Sequence, residues 1–140
     1  MAQRHPSWVP LDPSQSSFLS RFHNADLLRR IRVHYAATPL NAVGEWPYQI
    51  DIPGAGTAAS AQTYGDDVYI REPYRGHHCT QYSLLAHEIT HSSQAESLGG
   101  LPGFGYQYFR QYARGGRDYY RIGLEIDAER VGDAAGVSCQ

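Results

Sequence analysis

The chain contains no lysine: all twelve of its basic residues are arginine. A bias of the source lineage is the plain explanation, and avoidance of lysine modification inside a host cell is the sharper one. With a formal net charge of −2 and no basic cluster, a nucleic-acid footprint is not supported. No apolar run approaches the ~20 residues a helix needs to cross a bilayer, so no membrane span is expected. Residues 1–30 lack the charged start, apolar core and small-residue cleavage site of a signal peptide. The expectation is a chain that is cytoplasmic as synthesised, with secretion or delivery by a specialised system left open. Cysteine is scarce too. Cys79 and Cys139 could pair, stay free or, for Cys79, sit near a metal, and without a secretory signal a free, partly buried thiol is the expected state.

What the chain does have is enough apolar and aromatic material, 41% and 12% of 140 residues, to fold as one domain. Residues 1–23 read as an irregular lead-in rich in Pro, Ser and Gln, entering a short helix over Ser17–Arg30; residues 24–136 read as a single domain and 137–140 as a tail. Ile31–Tyr35 alternates apolar and polar residues and predicts a strand, as does Trp46–Ile52. Thr63–Ile70 predicts a hairpin turning at Gly65, a residue that tolerates positive φ. Thr80 is placed to cap a helix running to about Ser97, which Gly99–Gly105 stops. Tyr106–Arg114 predicts a short aromatic helix, and a last helix is expected to reach Ala135 and end at Gly136. Strands first and helices after make the fold class α+β: a small N-terminal antiparallel β region packed against C-terminal helices.

Within the first long helix stands His87-Glu88-Ile89-Thr90-His91, an instance of H-E-x-x-H. Residues four apart share one helical face, so two imidazoles can grip one metal ion, while Glu88 can serve as general base toward a water the metal activates. The apolar Leu84-Leu85-Ala86 run sets this helix inside the protein, where bare imidazoles need a partner. A catalytic zinc takes three protein ligands and keeps one open position. The longer H-E-x-x-H-x-x-G-x-x-H pattern fails, because Gln94 and Ser97 occupy its Gly and third-His positions. Glu96 falls on the wrong face, and His77 and His78 lie too far back along the chain, closer to a substrate role than to the metal. The last helix remains, with Glu125 and Glu129 one turn apart. Glu125 is favoured as ligand, with Glu129 orienting a ligating His through a hydrogen bond. The other register, Glu129 as ligand with Asp133 behind it, stays open. Peptide hydrolysis also needs a donor for the developing oxyanion. Tyr106, Tyr108, Tyr112, Tyr119 and Tyr120 lie between the two helices, and Tyr120, nearest Glu125, ranks first.

The stretch Leu84–His91, LLAHEITH, resembles the core of small gluzincin-type zinc metallopeptidase domains associated with bacterial contractile injection systems and polymorphic toxins. Ile31–His34, Ala61–Ile70 and Leu124–Glu129 resemble three further motifs of that family in the same order, so the likeness spans residues 24–135. It implies a minimal gluzincin-like fold and one zinc ion held by His87, His91 and Glu125, with Glu88 as base. The chain departs from the family at Glu129, where Asp is usual, and at Ser92-Ser93-Gln94, where a more apolar tail follows the second His.

Three functions compete on this reading. The first is a zinc endopeptidase acting on a polypeptide, its own chain or a co-delivered protein. The second is a non-catalytic metal-binding module that loads cargo or engages a delivery-system partner. The third is a delivered effector or toxin whose peptidase activity injures a target cell.

Overall fold

The structure, a computed structural model, describes residues 8–37, 61–114 and 123–140. Asp12 starts the first helix, α1 (Pro13–Leu19), with a reciprocal capping box: its carboxylate accepts from the Gln15 amide, and the Gln15 side chain accepts from the Asp12 amide. Pro13 at the first turn gives up only an amide that would be unpaired anyway. The lead-in is therefore partly helical, and the single helix expected over Ser17–Arg30 is two. Asn24 makes the break: its side chain accepts from the Leu27 amide at 2.8 Å and opens α2 (Ala25–Arg30).

Three strands follow, β1 (Arg32–His34), β2 (Ala61–Tyr64) and β3 (Asp67–Ile70), in the spatial order β1-β3-β2. The hairpin of β2 and β3 is antiparallel and turns at Gly65, whose φ is 63°. The expectation of a wholly antiparallel region is corrected by β1, which runs parallel to β3. A side-chain lock on one face fixes that register. Arg32 grips the Asp67 carboxylate through two bonds of 2.8 Å, and His34 Nε2 approaches the same carboxylate at 3.1 Å. Burial would raise the Asp67 pKa, but Arg32 and His34 outweigh it and hold the carboxyl below its usual range. The opposite face buries Val33, Val68 and Ile70 completely against Leu85, Ala86 and Ile89 of α3 (Cys79–Ser97). The strand expected over Trp46–Ile52 lies outside the described residues.

The helices differ from expectation at their ends. The capping position of α3 falls on His78, which gives no side-chain cap, while Thr80 lies inside the first turn. The fourth helix, α4 (Leu101–Arg114), begins five residues before Tyr106. Pro102 is tolerated because it sits in the first turn. Gly103 is required because a Cβ there would stand 1.8 Å from the Leu98 carbonyl oxygen. The fifth, α5 (Gly123–Cys139), continues past Gly136 to its last residue, which is bonded to the first residue of α3. Cys79 and Cys139 form a disulfide, 60 residues apart in sequence and 5.4 Å apart at Cα, so the free-thiol expectation is overturned. The pairing is long-range, and neither residue's neighbours along the chain announce it.

Helices α3 and α5 run antiparallel and close together. The Ser83 hydroxyl donates to the Gly132 carbonyl at 2.7 Å, and a Cβ on Gly132 would lie 3.1 Å from both the Ser83 carbonyl oxygen and the His87 Cβ. Gly132→Val is therefore expected to force the two helices apart. The loss, about 2 kcal/mol for an overpacked contact, is measured by denaturant unfolding of the metal-free protein, where an unchanged midpoint would refute the close fit.

Candidate metal centre

The Leu85–Ile89 side of α3 faces the sheet, which turns His87 and His91 toward α5. Thr90, inside the motif, serves the backbone instead: its buried hydroxyl donates to the Ala86 carbonyl at 2.8 Å. From α5, Glu125 reaches between the two imidazoles. Its Oε1 lies 2.7 Å from His91 Nε2 and 3.2 Å from His87 Nε2. One ligand atom from each of these three residues falls within 4.8 Å of the others. Four-coordinate zinc with bonds of ~2.0–2.1 Å separates its donors by about 3.3 Å, and the Glu125 oxygen, at 2.7 Å and 3.2 Å from the two imidazole nitrogens, stands near that spacing.

The neighbours of the trio bias each atom. His91 Nδ1 lies 2.9 Å from Gln94 Oε1, a carbonyl oxygen that can only accept, so Nδ1 carries a proton and Nε2 is the nitrogen turned toward Glu125. Tyr108, on α4, donates to Glu125 Oε2 at 2.9 Å and leaves Oε1 to face the histidines. Burial disfavours a charge on the His91 ring, but the hydrogen bond and charge of Glu125 prevail and push it up to about 9. A proton and a metal ion thus compete for the same nitrogen.

Glu88 is almost wholly buried, and its Oε2 lies 3.8 Å from His87 Nε2. Thr63, on β2, holds its other oxygen: the threonine hydroxyl stands 2.8 Å from Oε1 and 3.1 Å from the Glu88 carbonyl. The hairpin therefore positions the carboxylate beside the trio. Phe104 and Tyr108 form an aromatic wall on the α4 side, with the Phe104 ring edge-on to His91 at 5.8 Å between centroids.

Among the sequence candidates, the structure brings together His87, Glu88, His91 and Glu125. Glu129 is exposed, and the hydrogen bonds that orient the trio come from Gln94 and Tyr108 rather than from it. Tyr106 is exposed as well, and Tyr119 and Tyr120 lie outside the described residues. Glu96 pairs with Arg30 at the surface, and His77 bonds the Tyr82 hydroxyl near the start of α3. Sequence reasoning missed Thr63 and gave Gln94 no role, although Gln94 follows His91 at the i, i+3 spacing that lets helical side chains meet. Among the described residues, no helix is long and apolar enough to cross a membrane.

No curated protein and no solved structure matches the chain significantly. A family model does: residues 10–99 match the eCIS core domain, a stretch that starts before α1, ends just beyond α3, and contains His87, Glu88 and His91 but not Glu125. Since the match covers well over half of the chain, the protein belongs to the eCIS core domain family, which links it to extracellular contractile injection systems.

Proposed function

We propose that this domain is a zinc-dependent endopeptidase, with His87, His91 and Glu125 holding the metal and Glu88 acting as general base. The observation that carries the reading is the convergence of two imidazole nitrogens and one carboxylate oxygen within 4.8 Å, next to a second, buried carboxylate that is not needed as a ligand. A zinc ion bound by this donor set supplies Lewis acidity toward a carbonyl and lowers the pKa of water to about 7.

The chain's own groups do the rest. Thr63 engages Glu88 Oε1, which leaves Oε2, the oxygen nearer His87, to take the proton of the attacking water. As the carbon–oxygen bond forms and the carbon–nitrogen bond breaks, the protonated Glu88 returns that proton to the leaving amine, so the base is regenerated. Tyr108 keeps Glu125 oriented through Oε2, so Oε1, the oxygen beside the two imidazoles, is the one that would serve a metal held there. Membership of the eCIS core family suggests where such an activity would be used: on the chain's own polypeptide, on a co-delivered protein, or in a cell that receives it.

The test is metal dependence of cleavage on a proteome-derived peptide library. The expected result is loss of cleavage on removing the metal with a chelator and recovery with about one equivalent of zinc. Undiminished cleavage by the metal-free protein would overturn the proposal.

A further inference from the structure

One of the two residues that break the longer zinc motif, Gln94, connects the two halves of this site. Gln94 stands three residues after His91 and uses both ends of its amide. Its Oε1 lies 2.9 Å from His91 Nδ1, and its Nε2 donates to the Leu124 carbonyl at 2.9 Å. Leu124 immediately precedes Glu125, and the amide of Leu124 donates in turn to Gln111 Oε1 on α4 at 2.9 Å. The backbone that carries the third ligand is thus held on its carbonyl side from α3 and on its amide side from α4.

We infer that Gln94 is a positioning residue, setting the His91 tautomer and the placement of Glu125 together. The inference rests on the zinc reading above. A glycine at 94 could make neither bond, and a carboxylate there could accept from His91 but not donate to Leu124. Only a side chain with an acceptor and a donor on one planar group serves both. Because one bond acts on His91 and the other on the backbone next to Glu125, losing Gln94 loosens two of the three protein donors at once, although Tyr108 and Gln111 still hold the Glu125 side. The affected quantity is metal affinity rather than stability of the fold.

The experiment measures zinc affinity by competition with a chromophoric chelator, the visible spectrum of the cobalt-substituted protein, and the melting temperature of the chelated protein. The parent is compared with Gln94→Leu, of similar size without either bond, and with Gln94→Glu, which keeps only the acceptor. Gln94→Leu is expected to lose about ten- to hundredfold in zinc affinity and to change the cobalt spectrum, with the chelated melting temperature unmoved. Gln94→Glu is expected to recover part of that affinity. The assignment is overturned if Gln94→Leu binds zinc within twofold of the parent. It is overturned equally if both variants lower the melting temperature of the chelated protein in step with the affinity, which makes Gln94 a residue of the fold. A parent that binds no zinc instead sinks the metal reading itself, so the two failures are distinct.

Discussion

Glu88→Gln is expected to bind zinc as the parent does and to lose between about a hundred- and ten-thousandfold in peptide cleavage, the range attached to a positioned general base. The substitution is close to isosteric, and a glutamine Oε1 can still accept from Thr63, so the link between β2 and α3 survives. What disappears is an oxygen able to carry a proton, because an amide does not take one at neutral pH. The metal trio is untouched, since His87, His91 and Glu125 do not depend on Glu88 for their donor atoms. Zinc stoichiometry and the cleavage rate are measured side by side. A zinc-loaded Glu88→Gln protein that cleaves at the parental rate would sink the peptidase proposal and leave the metal site as a structural or partner-binding device. The same pair of proteins addresses the effector reading: equal growth of target cells expressing either one would end it.

The second large effect concerns the disulfide. Cutting it by Cys139→Ser is expected to destabilise the domain by about 4 kcal/mol. The chain-entropy cost of closing a loop of this length gives that figure, with Cys79 and Cys139 60 residues apart. For a domain of this size the melting temperature should fall by about 10–15 °C. The loss should concentrate on the docking of α5, because small residues, Ser83 on α3 and Ala128, Gly132, Ala135 and Gly136 on α5, bring the backbones close there with little apolar side chain to bury. Glu125 travels with α5, so zinc affinity should drop in the same variant and in the reduced parent. Calorimetry with and without reductant reads the first effect, and chelator competition reads the second. Identical melting in both redox states would show that packing alone holds α5 in place.

The half of the site within one helix was legible in the chain because helical spacing is local: His87, Glu88 and His91 need only 3.6 residues per turn to share their geometry. Glu125 was reachable by chemistry, since zinc wanted a third donor and the last helix offered carboxylates one turn apart. Everything that depended on where two distant segments meet was harder. The Cys79–Cys139 bond, the parallel pairing of β1 with β3, and the hydrogen bond from Tyr108 to Glu125 all join segments distant in the chain. The run Gly99–Gly105 misled for a local reason. Its glycines and proline look like breakers, yet Gly103 is there so that α4 can start hard against the Leu98 carbonyl, and Pro102 is harmless in a first turn. Likewise Glu129 had the right spacing for an orienting carboxylate but points to solvent, and two amide and hydroxyl side chains hold the ligands instead.

Exposure within the trio is uneven: the side chains of His91 and Glu125 are 8% and 9% accessible, whereas that of His87 is 20%. Among the described residues, the trio is therefore most open at His87. On the zinc reading proposed above, the approach over His87 is the more open one, and Phe104 and Tyr108 stand on the His91 side. Bulk placed beside His87 is expected to narrow that approach.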